Sequence, residues 1–225
     1  MDTEDVRTEQ REVGSFHQVT LRDDTCGAEL VIQQGDTEGL RIEAGPDKLR
    51  RIEAQVLNGR LIIRMGGTWL ERLGDQLSTS LTRSRVVYHL QVRDLESLDL
   101  GCAASVYAPA LRTDVLRVTL SGAVVVRVGD LTVRDLRIEH SGTGLVEIAG
   151  QATRQEVLLY GTGSYRAQDL RTQVSVVRIS GSAHARVHAS AELQAVVRGV
   201  GLVEYSGSPR LQQRIMGVGG VVRVG

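Results

Sequence analysis

A glycine recurs every 18 to 21 residues through the second half of the chain, each time between two short aliphatic runs. The series is Gly101, Gly122, Gly142, Gly161, Gly181, Gly199 and Gly217. Such a period is typical of a solenoid, in which each repeat forms one coil and buries its apolar face only when another coil stacks on it. The spacing therefore predicts a stack of coils of about 20 residues each.

Residues at fixed offsets from these glycines alternate between apolar and polar. Apolar side chains stand four and two places before most of the glycines, and four and six places after them. A period of two is the pattern of a strand with one buried face. We therefore predict a right-handed parallel β-helix over residues 86–225. The residues predicted to lie inside it are Val118, Leu120, Val126, Val128, Ile138, Val146, Ile148, Val157, Leu159, Val177, Ile179, Val187, Val197 and Val203. In most coils the residue two places after the glycine is also small, which indicates a tight corner with little room for a side chain or a need for positive φ.

Residues 1–85 follow a different pattern and predict an N-terminal β portion that caps the solenoid. Asn58-Gly59 lies between two strand-like runs, which is a strong signal for a β-hairpin. We expect antiparallel strands here that cover the first end of the stack. The segment that follows carries Trp69, Leu70, Leu73 and Leu77. These four residues fit either a flap packed on its own domain or a partner-binding patch.

Charge and composition exclude several classes of partner. The chain has 27 Lys and Arg residues and 27 Asp and Glu residues, which gives a formal net charge of zero. A neutral chain attracts neither nucleic acid nor anionic membranes strongly, and no apolar run is long enough for membrane insertion. The acidic start lacks an apolar signal region. We therefore expect a cytoplasmic protein if Met1 is the native start, and a cell-envelope protein if a signal peptide was removed.

The sequence offers no constellation typical of catalysis or of metal binding. His184 and His188 are four residues apart, but on a strand this spacing separates them by about 13 Å. His140 replaces an aliphatic residue in an inward column, which indicates a buried neutral imidazole or a shifted corner. The outward positions Arg127, Glu147, Arg166, Arg186 and Glu204 predict a mixed-charge ladder, with a carbohydrate-binding stripe as the alternative. We expect no catalytic residues, no metal and no cofactor.

The last coil keeps its apolar pattern up to the final residues. No amphipathic helix or charged strand follows it to close the stack. Solenoids need polar end caps to stay monomeric, and an open strand edge can pair with another chain. We therefore predict a homo-oligomer whose contact includes Ile215, Val218, Val221 and Val222.

Several motifs together resemble a known bacterial family. They are Gly14-Ser15-Phe16-His17-Gln18-Val19, Asn58-Gly59-Arg60-Leu61-Ile62-Ile63, turns such as Ser141-Gly142-Thr143-Gly144, and Tyr205-Ser206-Gly207-Ser208-Pro209. From about Val13 to Gly225 the chain is similar to the putative auto-transporter adhesin, head GIN domain family. This resemblance implies a β-helical domain of unassigned activity, usually exported or attached to the cell envelope, without catalytic residues.

These observations leave three classes of function. The first is a non-enzymatic structural or adhesion-like module with a cell-surface or carbohydrate ligand, which the lack of a catalytic constellation favours. The second is a cytoplasmic self-assembling scaffold similar to the bactofilins, which the lack of a signal region favours. The third is a carbohydrate-active β-helix enzyme, which would need at least three carboxylates on one face.

Overall fold

The computed structural model describes residues 6–22, 27–66 and 85–224. These residues form one hydrogen-bonded sheet of 18 strands that winds into coils. The strands are β1 (Arg7–Arg11), β2 (Gln18–Arg22), β3 (Ala28–Gln34), β4 (Gly39–Ala44), β5 (Ile52–Leu57), β6 (Arg60–Met65), β7 (Val86–Val92), β8 (Ser97–Leu100), β9 (Ala104–Leu120), β10 (Ala123–His140), β11 (Thr143–Leu159), β12 (Thr162–Ala167), β13 (Leu170–Ile179), β14 (Ser182–His188), β15 (Glu192–Val197), β16 (Val200–Ser206), β17 (Arg210–Ile215) and β18 (Val218–Arg223). Within the described ranges the one helix is α1 (Pro46–Arg51).

Parallel pairing between successive coils builds the body of the molecule. β9 pairs with β10 and β10 with β11, and each later strand then pairs with its equivalent one coil further on. Val126, for example, lies opposite Val106 on one side and Val146 on the other. The stack contains about six turns of roughly 20 residues, so the predicted parallel β-solenoid is confirmed.

The interior of the solenoid is a set of aliphatic columns that run along its axis. All 14 residues predicted to lie inside are buried. Burying one such side chain stabilises the folded state by about 1.5–3 kcal/mol. Ordering each residue of a coil costs a similar amount of free energy in lost conformational entropy. A single coil with its few aliphatic residues therefore cannot fold alone, and the coils stabilise one another through these columns.

The N-terminal part contributes both parallel and antiparallel strands. β6 with β7 forms the first parallel level, β2 with β3 the second, and β8 with the start of β9 the third. Outside the first level, β5 pairs with β6 and β4 pairs with β7 and β1, all antiparallel. α1 joins β4 to β5 and buries Leu49. The predicted antiparallel N-terminal portion is confirmed, whereas the division of the chain at residue 86 stays a prediction.

The hairpin between β5 and β6 has the predicted two-residue loop. Leu57 pairs with Arg60, and Asn58 and Gly59 have φ angles of 51° and 72°. Positive φ at both loop residues is the requirement of a type I′ turn, whose twist matches that of the flanking strands. The sequence prediction of a hairpin is confirmed here.

The repeat glycines form a column in which backbone lies directly on backbone. A Cβ placed on Gly142 would collide with the Gly122 carbonyl, and one on Gly161 would collide with the Gly142 carbonyl. The repeat glycines do not have positive φ, but Gly144, two places after Gly142, has a φ of 142°. Close approach of adjacent coils therefore requires the repeat glycine, and at Gly144 the backbone conformation favours glycine as well.

Candidate functional site

One column of outward side chains runs along the length of the described molecule, and we call it the outer stripe. It crosses both the N-terminal strands and the solenoid, because each member lies opposite the next in the strand register. In spatial order the outer stripe consists of Gln10, Arg41, His89, Val31, Tyr107, Arg127, Glu147, Arg166, Arg186, Glu204 and Val222. Adjacent strands are about 4.8 Å apart, so the stripe is about 50 Å long.

The middle of the outer stripe is a ladder of ion pairs. Arg127 Nε lies 2.8 Å from Glu147 Oε2, and Arg166 Nη1 lies 3.1 Å from Glu147 Oε1. Glu204 pairs with Arg186 and accepts a hydrogen bond from His184 Nε2 at 2.9 Å. The predicted mixed-charge ladder is therefore present. Each exposed pair contributes little to stability, so the consequence of the ladder is a surface of mixed charge.

Hydrogen bonds from arginine hold the two ladder carboxylates in their charged form. The Arg127 guanidinium, followed by that of Arg166, lowers the pKa of Glu147. Arg186, followed by His184, lowers the pKa of Glu204 in the same way. Because both carboxylates stay charged near neutral pH, neither is suited to donate a proton as a general acid.

An open concavity of about 390 Å³ lies beside the outer stripe where β3, β7 and β9 meet β10. Its lining includes Glu29, Arg85, Ser105, Tyr107 and Arg127. Arg85 forms an ion pair with Glu29. The Tyr107 side chain is 50% exposed, although most large apolar residues of neighbouring columns are buried. The concavity therefore combines an exposed aromatic face with charged hydrogen-bonding groups.

The histidines singled out by sequence have separate environments. His140 is 3% exposed, and burial lowers its pKa while a hydrogen bond with the Thr143 backbone partly opposes this effect. His184 contacts Glu204, whereas His188 Nδ1 accepts a hydrogen bond from the Thr172 amide at 3.3 Å. Within residues 6–22, 27–66 and 85–224, no three His, Cys, Asp or Glu residues are placed to hold a metal ion.

A polar network inside the solenoid was not predicted from the sequence. Tyr165 Oη donates to Gln155 Oε1 at 2.9 Å, and Gln155 Nε2 donates to Ser175 Oγ at 2.8 Å. The hydroxyls of Ser175 and Thr172 both donate to the His188 carbonyl. Burial raises the pKa of Tyr165, so its hydroxyl remains a donor. Gln155 and Ser175 occupy a column otherwise filled by leucines, and this interruption is the sequence signal that could have revealed the network.

The residues of the predicted self-association edge lie on the last two strands, β17 and β18, or close to them. β17 and β18 each pair with one described strand only. Ile215, Val218 and Val222 are exposed, with Val218 at 70%, and Val221 is partly buried. The other predicted patch, Trp69, Leu70, Leu73 and Leu77, lies outside the described residues.

In the part of the chain that the structure covers, no helix has the length and apolar character needed to cross a membrane.

Fold and surface together define a class: a parallel β-solenoid with an antiparallel N-terminal part and an outer face that carries a ladder of charged side chains. The family model described as putative auto-transporter adhesin, head GIN domain, matches residues 15–209. The chain therefore belongs to this family, and the predicted resemblance is confirmed. No curated protein matches the chain.

Three solved structures with the same fold come from Bacteroides and Parabacteroides species. A putative adhesin from Bacteroides fragilis is 22% identical, with a TM-score of 0.86 over 99% of this chain and 98% of that one. A putative lipid binding protein from Parabacteroides distasonis is 17% identical, with a TM-score of 0.69 and the same coverage. A putative adhesin from Parabacteroides merdae is 16% identical, with a TM-score of 0.63, again over 99% and 98%. At these identities the similarity shows the fold alone.

Proposed function

We propose that the protein is a non-enzymatic, adhesion-like module that binds its ligand along the outer stripe. The observation that carries this proposal is the register itself, which aligns eleven outward side chains from eleven strands into one column. A long surface of this kind suits an extended ligand, because repeat folds use extended surfaces for binding. Membership of a family of putative adhesins supports the same interpretation.

The placement of the stripe carboxylates favours binding over catalysis. Glu147 and Glu204 are separated by the two coils that carry Arg166 and Arg186, a distance of about 14 Å. Carboxylate pairs that hydrolyse glycosidic bonds lie about 5–9.5 Å apart. Arginine also holds both carboxylates in the charged state. A binding surface needs only fixed hydrogen-bonding groups, which the ion pairs provide.

Binding to an immobilised panel of oligosaccharides, glycosaminoglycans and matrix proteins tests the proposal. Arg166→Ala/Arg186→Ala removes two charges from the outer stripe. The matched control is Arg137→Ala/Arg178→Ala, because these arginines form a similar ladder with Glu156 on another face. We expect the first variant to lose at least tenfold in affinity for the panel member that binds, and the control to bind like the wild type. Equal losses in both variants, or a panel without any binder, would overturn the proposal.

We also propose that two copies associate through the edge of the last coil, formed by β17 and β18. Their unpaired backbone groups and the exposed Ile215, Val218 and Val222 can pair with the same edge of a second copy. After Glu204 the sequence contains three arginines and no acidic residue. Two such edges repel each other, and salt screens this repulsion. The association should therefore strengthen as the salt concentration rises.

Light scattering behind size exclusion measures this association. We expect a dimer fraction at micromolar concentration that is larger in about 300 mM than in about 20 mM salt, where the screening length is roughly four times longer. Val222→Lys should give a monomer. Val6→Lys is the control, since Val6 is also exposed but lies next to β1 at the antiparallel N-terminal part. A wild-type monomer at both salt concentrations would contradict the proposal.

A further inference from the structure

Tyr107 is unusual among the described tyrosines because its exposed ring lies in a concavity. Tyr88 and Tyr165 are fully buried in the core. Tyr160 is 55% exposed, but it lies at the corner between β11 and β12 and does not line the concavity. Tyr107 instead lies between Val31 and Arg127 in the outer stripe. Its ring is thus held on a rigid strand and remains accessible to a ligand.

The groups around the Tyr107 ring are oriented in advance and remain partly free. Glu29 binds Arg85, and the Arg127 guanidinium binds Glu147 through Nε at 2.8 Å. The side chains of Arg85 and Arg127 are still 68% and 56% exposed. A guanidinium has five N–H donors in a fixed plane, so each arginine keeps donors for a ligand after forming its ion pair. The ion pairs therefore fix these groups without using up their hydrogen-bonding capacity.

Charge balance selects the kind of ligand that fits. The two arginines of the concavity are offset by Glu29 within it and by Glu147 on the next coil. Each guanidinium of the concavity therefore already has a carboxylate partner, and the two carboxylates repel an anionic ligand there. The available volume of about 390 Å³ lies near the lower end of the range of small-molecule sites, about 300–1,000 Å³. A compact neutral molecule with one apolar face and several hydroxyls matches these properties.

We infer that this concavity binds one pyranose ring of a neutral oligosaccharide, an inference that rests on the proposed binding function. The C–H face of the sugar packs on the Tyr107 ring, whose π face is electron-rich and attracts the weakly positive C–H groups. Adjacent sugar hydroxyls accept hydrogen bonds from the free N–H groups of Arg127 and Arg85, and one donates to Glu29. The remaining sugar units extend along the outer stripe.

Saturation-transfer NMR with full-length protein tests this inference, using maltotriose, cellotriose, mannotriose and 3′-sialyllactose as probes. We expect transfer to ring C–H protons of at least one neutral trisaccharide, and at least tenfold weaker binding of sialyllactose. Tyr107→Ala should raise the Kd of that neutral trisaccharide at least tenfold. Tyr107→Phe should keep most of the affinity, because it preserves the ring. Tyr160→Ala is the matched control and should bind like the wild type.

The outcomes separate this inference from the proposed function. If Tyr107→Ala binds as well as the wild type while Arg166→Ala/Arg186→Ala loses binding, the pyranose site is wrong and the outer stripe stands. Absence of transfer to every neutral probe, or tighter binding of sialyllactose, also overturns the pyranose site. If the stripe variant keeps full binding and Tyr107→Ala loses it, the stripe proposal fails instead. Circular dichroism of each variant verifies that it is folded.

Discussion

Replacing a repeat glycine by alanine tests the central feature of this fold. In Gly142→Ala the new Cβ would lie 2.8 Å from the carbonyl carbon of Gly122 and 3.0 Å from the backbone nitrogen of Gly122. It would lie closer still to the carbonyl oxygen of Gly122. The contact with the oxygen is about 1 Å too short, so the adjacent coils must separate or the corner must distort. Because the contacting atoms are backbone, no side-chain rotation can relieve the collision.

The expected cost follows from two local terms. Overpacking of a close-packed site costs about 1–3 kcal/mol. The Thr143 amide also donates to the Gly122 carbonyl at 3.0 Å, and separating the coils weakens this bond, at about 0.5–1.5 kcal/mol. The two contributions together predict that Gly142→Ala lowers the free energy of unfolding by about 1.5–4.5 kcal/mol.

Urea unfolding followed by far-ultraviolet circular dichroism measures this change, with Gly35→Ala as the matched control. A Cβ on Gly35 has no atom within 4 Å, and its φ lies outside the left-handed region. Alanine there should be neutral or stabilise by about 0.4–1 kcal/mol, because it restricts the unfolded chain. If Gly142→Ala unfolds at the wild-type urea concentration, or if Gly35→Ala is equally destabilised, close backbone approach is not the reason for the repeat.

Three further predictions concern the interior and its requirements. Gln155→Leu should lower the free energy of unfolding by about 1–3 kcal/mol, because the buried Tyr165 hydroxyl loses its acceptor. Adding Tyr165→Phe should recover most of this loss in the same urea assay. If it recovers none, the Tyr165 hydroxyl is not the cause. Burial lowers the folded-state pKa of His140 below its ordinary value of 6.5, so below about pH 6.5 the unfolded chain binds a proton that the folded chain does not. The free energy of unfolding should therefore fall as the pH falls through this range. His140→Leu should make the free energy of unfolding depend less on pH, and an unchanged pH dependence would contradict this prediction. EDTA should leave the thermal midpoint within about 5 °C of the untreated value, and a larger drop, on the order of 1 kcal/mol or more, would reveal a bound metal.

The prediction of the solenoid succeeded because its two signals are local. The glycine spacing and the alternation of apolar residues repeat within each coil, so Val126 and Val146 could be placed inside without knowing which strands pair. The ladder Arg127–Glu147–Arg166 was predicted for the same reason, since one repeat period separates its members. The polar network around Gln155 was missed because a polar residue in an inward column is normally unfavourable, and only its partners on neighbouring coils make it acceptable.

By itself, the sequence determined the coil length, the inward and outward faces, the hairpin at Asn58-Gly59 and the family. Each of these depends on residues close together in the chain or on a strict period. The tertiary structure alone decided how the outer stripe continues from Tyr107 through Val31 to His89. It places β3 between β7 and β9, although β3 comes first in the chain. No period links these strands. Their register depends on long-range pairing, and that pairing brings Glu29, Arg85 and Tyr107 into one concavity.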